Sequence, residues 1–258
     1  MRDHAPNSWE ARADRHSFYG FTDLPTIAER GPVVIERGEG PYVIDVHGRR
    51  YLDANSGLWN MVAGFDHPGL AEAAKAQYDR LPGYHAFFGR MSDQTVMLSE
   101  KLTEVSPYDR AKVFYTNSGS EANDTMVKML WLLNRAEGKP ERRKILTRVN
   151  AYHGVTVAAA SMTGKPYNAH FGLPLDGFLH LSCPHYWREG QEGETEAAFT
   201  ARMARELEEV IAREGAETIA GFWAEPVMGA GGVIPPPEGY FQAIQPILRQ
   251  HGIPLISD

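Results

Sequence analysis

Phe114-Tyr115-Thr116-Asn117-Ser118-Gly119-Ser120-Glu121 is the stretch on which the reading of the fold turns. The apolar run Val113 to Tyr115 predicts a short strand. It breaks into a polar turn, and a helix is expected from about Ser120 to Asn134. Ser118 and Glu121 have the spacing of a capping box, in which both side chains satisfy free backbone N–H groups. A strand, a turn and a capped helix make one unit of an α/β sheet.

Similar units recur downstream. Ile145 to Thr147 reads as a strand followed by the small-residue run Val155 to Ser161. Ile219 to Ala224 is a strand, Tyr240 to His251 a helix ended by Gly252, and Ile253 to Ser257 another strand. A charged helix over roughly Glu194 to Arg213 turns Phe199, Met203, Val210 and Ile211 inward. It sets Arg202/Glu206 and Glu209/Arg213 four apart as ion pairs and stops at Gly215. Strands alternating with helices predict an α/β fold, a mostly parallel sheet with helices on both faces. The Pro/Gly-rich stretch from Gly229 to Gly239 is a loop within it.

Upstream the pattern differs. Residues 1 to 30 mix charge with Trp9, Phe18, Tyr19 and Phe21, and so many aromatics predict a packed arm rather than a disordered tail. Tyr42 to Val46 and Arg50 to Asp53 flank His47-Gly48 as a hairpin. Helices are expected around Leu70 to Tyr78 and over Asp93 to Val105. The second has Ser92-Asp93 as cap candidates and Met97, Leu98, Leu102 and Val105 on one face. The expected division is an arm and hairpin of a small α+β domain over 1–60, then a large sheet domain over 61–258. The last strand reaches its carboxyl end at Asp258, where such folds place ligands, so further sheet elements are expected to follow.

Composition narrows the function classes. Hydrophobic residues are 43%, charged residues 23%, and the net charge is -7 without a basic run. Nucleic acid is not an expected partner, since phosphate backbones need a basic footprint. No apolar stretch approaches a membrane span, and Met1 to Glu10 is too polar for a signal peptide. Cys183 is the only cysteine, which points to a reducing compartment and a cytoplasmic protein.

Three constellations could carry chemistry. The Gly119 and Ser120 N–H groups at a helix start, with a serine hydroxyl, could cradle a phosphate; a plain helix cap explains the same residues. A P-loop is excluded because Pro166 follows Gly164-Lys165, and no dinucleotide fingerprint is present. Tyr152-His153-Gly154 follows a strand, and Tyr152 is either a stacking platform for a flat cofactor or a core aromatic. His153 is equally readable as a satisfied loop histidine. Asp258 ends an apolar strand, where a carboxylate needs a cation, a metal or a helix to cap. Glu225 repeats the theme of an acid at a strand end.

Taken together, these blocks resemble the class III aminotransferases. Trp59 in Gly57-Leu58-Trp59, then Thr116 to Glu121, Tyr152-His153-Gly154, Ala224-Glu225-Pro226-Val227 with Gly229-Ala230-Gly231-Gly232, and Leu255-Ile256-Ser257-Asp258 come in that family's order and spacing. The resemblance implies fold type I and pyridoxal 5'-phosphate (PLP) as cofactor. It implies that Gly119 and Ser120 hold the phosphate, Ser118 shapes the turn, Tyr152 stacks on the ring, and Asp258 pairs with the ring nitrogen. His153 belongs to the same cofactor block, and Glu225 is implied as a second acid near the cofactor. Trp59 and Phe87 match the aromatic substrate wall of the omega-amino acid and amine:pyruvate branch, and Phe21 is expected at a neighbouring subunit's pocket in a homodimer. The family's Schiff-base lysine follows the aspartate on the next strand, beyond residue 258, and neither Lys144 nor Lys165 matches it. The implied reaction moves an amino group from an amine or omega-amino acid to a keto acid such as pyruvate. A decarboxylase or aminomutase of the same fold and a non-catalytic phosphate-ligand binder are the alternatives.

Overall fold

Tyr42 to Asp45 and Arg50 to Leu52 pair antiparallel because the turn between them can be made tight. Gly48 takes φ +77°, a conformation that strains any residue with a Cβ. The computed structural model describes Ala5 and residues 7 to 258, and two compact units meet at Lys112/Val113. In the first unit, helices α1 (Trp9–His16) and α2 (Leu24–Arg30) precede the strands β1 (Ile35–Glu39), β2 (Tyr42–Asp45) and β3 (Arg50–Leu52). These form one antiparallel sheet with β2 in the middle. The turn α3 (Ser56–Trp59) and helices α4 (Pro68–Arg80) and α5 (Asp93–Val105) follow. α5 starts where the sequence predicts, with Ser92 Oγ accepting from the Thr95 N–H at 3.2 Å.

Asp45 holds the hairpin together. Its buried carboxylate accepts from the N–H groups of His47 (3.0 Å) and Arg49 (2.9 Å), from Arg49 Nε (2.7 Å) and from the Tyr51 hydroxyl (2.9 Å). Burial raises its pKa, but these donors, led by the Arg49 N–H, outweigh that and bring it down to about 2. Elsewhere the unit buries little. Among its described residues only Ile44 and Asp45 are fully buried, and α1, α2, α4 and α5 bury none. The expected packed arm is therefore corrected: Phe18 and Phe21 are 88% and 94% exposed, because helices this short present too little apolar face to cover them. The α5 face of Met97, Leu98, Leu102 and Val105 exists but lies exposed.

The second unit carries a parallel sheet of β4 (Lys144–Arg148), β5 (Phe178–Leu181), β6 (Ile219–Ala224) and β7 (Leu255–Ser257), in the order β5-β4-β6-β7. Helix α6 (Gly119–Ala136) precedes β4. Then come α7 (Val157–Met162) and a 3₁₀ turn (Pro166–Phe171) before β5, α8 (Tyr186–Glu189) and α9 (Glu196–Glu214) before β6, and α10 (Tyr240–Gln250) before β7. All six β6 residues are buried, which an interior strand covered on both faces requires. One face packs Leu146 and Phe222 against Phe199, Met203 and Leu207 of α9 and Ile244 of α10. The other packs Ile145 and Trp223 against Val127 and Leu130 of α6 and Met162 of α7. The register shifts between Lys144↔Ile219 and Ile145↔Gly221, and this bulge lets Ile219 share the α9 face with Phe222 despite its odd spacing.

Two expectations fail for one reason, that tertiary partners override local pattern. Val113 to Tyr115 is not a strand: it belongs to neither sheet, and Phe114 is exposed. The ion pairs along α9 do not form. Arg202 instead makes a bidentate bond to Glu194 (2.8 and 2.9 Å), Glu206 accepts from the Ser182 N–H and hydroxyl, and Arg213 meets Glu214. A fork-to-carboxylate bond at a half-buried site beats an exposed pair four residues apart. β5, which the sequence pattern does not mark, forms because β4 offers it an open edge.

The Asp45 cluster generates a test. A depressed carboxyl pKa contributes stability that is fully present above the unfolded value, ~3.9, and is lost as pH falls through the folded value. Comparing thermal midpoints of wild type and Asp45→Asn across pH should show a wild-type advantage at pH 6 that disappears between about pH 4 and about pH 2. A difference independent of pH would mean that the carboxylate charge is not what the donors stabilise.

Candidate active site at the carboxyl ends of the sheet

Ser118 opens α6 in an extended conformation, and its Oγ accepts from the Glu121 N–H at 3.2 Å. Glu121 does not return to the Ser118 N–H, as a strict capping box would. Its Oε2 accepts from Asn117, the N–H at 2.9 Å and Nδ2 at 3.1 Å, so the box closes one residue outward. The Gly119 and Ser120 N–H groups are left without an acceptor among the described residues, and a Cβ built on Gly119 would meet nothing within 4 Å. Two free donors at the positive end of a long helix, beside open space, suit an anion.

Three residues spaced i, i+3 and i+4 on one face of α6 hold the loop that follows β4. Ser120 Oγ accepts from the Val155 N–H at 3.0 Å. Asn123 Nδ2 donates to the His153 carbonyl at 2.8 Å. Asp124 Oδ1 accepts from the Thr156 hydroxyl at 2.8 Å and the Ala159 N–H at 3.0 Å, capping α7 in place of Thr156, which makes no cap bond of its own. From the other side Thr163 Oγ1 accepts the His153 N–H at 2.9 Å. Gly154 makes the approach possible. It stands at φ +131°, and a Cβ there would come within 2.5 Å of Ser120 Oγ and 2.9 Å of Ser120 Cα.

Asp258 comes in from the end of β7, its N–H donating to the Ala224 carbonyl at 3.2 Å. One carboxylate oxygen, Oδ2, accepts from Asn123 Nδ2 at 2.9 Å and lies 2.7 Å from His153 Nδ1. The His153 side chain is fully buried, with Nε2 3.0 Å from Thr147 Oγ1. Oδ1 has no partner among the described residues, and the side chain is 29% exposed. A carboxylate held by one oxygen and open at the other can accept from a cationic N–H outside the protein.

Glu225, at the end of β6, is consumed by backbone. Oε1 accepts from the Tyr152 N–H at 3.0 Å and Oε2 from the Gly229 N–H at 2.9 Å. Its carbonyl accepts from Arg148 Nη2 at 2.7 Å, and Arg148 is fully buried. The Tyr152 ring is partly exposed above this anchored backbone. Lys165 Nζ donates to Asn150 Oδ1 at 2.6 Å and the Ala230 carbonyl at 3.0 Å, and burial pushes its pKa down. Lys144 is bound to Glu214 of α9 at 2.9 Å.

Direct bonds thus bring together Ser120, Tyr152, His153, Glu225 and Asp258 with the Ser118-Gly119 turn. Phe21, Trp59 and Phe87 lie in the first unit with exposed side chains. Trp59 ends a turn in which Ser56, Gly57, Leu58 and Trp59 all have positive φ. Asn123, Asp124, Thr147, Thr163 and Trp223 also belong to this cluster, and no sequence motif marks them. The one available signal is that Asn123 and Asp124 share a helix face with Ser120. Among the described residues no cluster of His, Cys, Asp and Glu could hold a metal ion, and no helix is long and apolar enough to cross a membrane.

The Gly154 contacts predict that Gly154→Ala lowers stability by roughly 1–3 kcal/mol, the cost of a strained φ aggravated by a clash with backbone. Urea unfolding of the full-length protein measures this. An unchanged midpoint would mean that the loop does not need the close approach to α6.

The family model for "Aminotransferase class-III" covers residues 26–258. An aminotransferase from Vibrio fluvialis, solved bound to PMP, superposes with a TM-score of 0.97 at 76% identity, covering 99% of this chain and 56% of that one. An omega-aminotransferase from Paracoccus denitrificans gives 0.96 at 78% identity, over 97% of this chain and 56% of that one. The mitochondrial gamma-aminobutyrate transaminase 1 of Oryza sativa subsp. indica is 48% identical over 229 residues, 88% of this chain and 44% of that protein. The chain therefore spans about half the length of the relatives it matches. With a solved relative this similar and a family model running from residue 26 to the end, the chain belongs to the class III aminotransferases.

Proposed function

We propose that the whole protein is a PLP-dependent transaminase that takes an amino group from an amine or omega-amino acid and passes it to a keto acid such as pyruvate. The observation that carries this is Asp258, a carboxylate pinned through Oδ2 with Oδ1 open at the carboxyl edge of the sheet. Bound PLP supplies an electron sink for cleaving bonds at the carbon next to the donor nitrogen. In this reading the chain's own residues bind and orient it. The Gly119 and Ser120 N–H groups take the phosphate, with Ser118 fixing the turn. The Tyr152 ring lies on the cofactor ring. Asp258 Oδ1 accepts the pyridine N–H and holds that proton in place. Glu225 contributes by fixing the Tyr152 backbone rather than by touching the cofactor. The donor set fits the group: two free N–H groups at a helix start, an exposed aromatic face and an open carboxylate edge.

The substrate side rests on Trp59, Phe87 and Phe21. Their exposure, and the left-handed turn that ends at Trp59, support a role in binding, because strained backbone is retained where it serves a site. The solved omega-aminotransferase and the curated gamma-aminobutyrate transaminase both point to a donor whose amine is not on an alpha carbon. A homodimer in which Phe21 serves the neighbouring site, a cytoplasmic location, and a PLP domain that includes residues 61–112 complete the proposal. The lysine that anchors PLP is assigned to the part of the relatives' length that these residues do not span.

A visible spectrum of the full-length protein with PLP should show a yellow band that fades on adding an amine donor and returns with pyruvate. No fading with any amine or omega-amino acid would sink the transaminase reading. Tyr152→Ala should weaken PLP binding roughly 3- to 10-fold, the scale of one aromatic stacking contact. Wild-type affinity in that variant would remove Tyr152 from the site.

A further inference from the structure

Asn123 stands between a donor that cannot accept and a carboxylate that, ionised, cannot donate. Trp223 is fully buried, and its indole Nε1 can only donate; it lies 3.0 Å from Asn123 Oδ1. The amide atom facing the indole must therefore be oxygen, since the NH2 group would leave two buried donors opposed. That fixes the other side. Nδ2 spends its two hydrogens on the His153 carbonyl at 2.8 Å and on Asp258 Oδ2 at 2.9 Å. His153 Nδ1 reaches the same oxygen at 2.7 Å, so the amide and the ring share one carboxylate oxygen and leave the other open. The charged or titratable groups nearest Asn123 are His153, Asp258 and, on its own helix, Asp124, which is engaged with Thr156 and Ala159.

We propose that Asn123, locked by Trp223, is the positioning residue for Asp258: a donor at every pH that holds Oδ2 and turns Oδ1 toward the bound ring. This rests on the cofactor site described above and assigns no contact between Asn123 and the cofactor itself. Trp223 acts one step further back, and its burial in the α6-side core ties the orientation of the amide to the packing of the sheet.

The test uses the full-length, PLP-loaded protein. Asn123→Ala should lower kcat on the order of 10-fold, the equivalent of one hydrogen bond to a charge, with the donor KM within about 2-fold. It should also move the midpoint of the pH titration of the cofactor's visible band. Asn123→Asp keeps the shape but can donate only while protonated, so its titration should gain an ionisation absent from wild type, and its kcat should fall as pH rises. Folded Asn123 variants with wild-type kcat and a wild-type titration would overturn the assignment. Should neither fold, Trp223→Phe, which keeps the amide but frees it to turn, should lower kcat and move the same midpoint; no change in either would be equally decisive against it. A wild-type protein whose band does not respond to amines would instead defeat the transaminase reading and is recognisable without any variant.

Discussion

The hydrogen bonds that α6 makes to the loop after β4 are the constraint on which the site depends. Ser120, Asn123 and Asp124 each bond a different point between His153 and Ala159, and Asn123 also reaches Asp258. One helix face therefore fixes three things at once: the start of the helix with its Gly119 and Ser120 N–H groups, the Tyr152-His153 segment, and the carboxylate at the end of β7. Only Gly154 allows that face to come close enough.

The polar groups gathered here would be costly if left alone. An unpaired buried amide or imidazole loses about 1–3 kcal/mol relative to water, more when charge is involved. Asn123, His153, Thr147 and Glu225 avoid this cost because each buried donor or acceptor has a partner within the same cluster. Such a network is stiff, since turning one member leaves another unsatisfied. What remains open, the Gly119 and Ser120 N–H groups, the Tyr152 face and Asp258 Oδ1, lies at the edge of the stiff part. A binding surface made in this way presents fixed donors and acceptors without having to reorganise.

Much of this was legible in the chain. The Ser118 cap, the Tyr152-His153 segment after a strand, and an acid at each of two strand ends follow from residue type and period, and the structure places them as neighbours. The long helices α5, α6, α9 and α10 form close to their expected limits, the first three behind side-chain caps at Ser92, Ser118 and Thr195. The failures share a cause. Val113 to Tyr115 has the composition of a strand, yet a strand exists only beside another, and neither sheet includes it. Arg202 and Glu206 have helix-pair spacing, yet Glu194 and Ser182 offer each a better-buried partner. Phe18 and Phe21 look like packing residues, and their neighbours in this chain do not cover them.

The sequence by itself determined what could be built locally: which segments are helices or strands, where they are capped, and which residue types arrive at the carboxyl ends of the sheet. These are fixed by φ/ψ preference and by the period of apolar side chains, which act within a few residues. The tertiary structure alone decided which oxygen of Asp258 is held and which is open, that Glu225 holds the Tyr152 N–H, and that Trp223 sets the direction of the Asn123 amide. Those outcomes depend on donors and acceptors 30 to 135 residues apart in the chain meeting within hydrogen-bond distance. No local pattern encodes such a distance, because it is set by the sheet order and by how closely α6 packs on it.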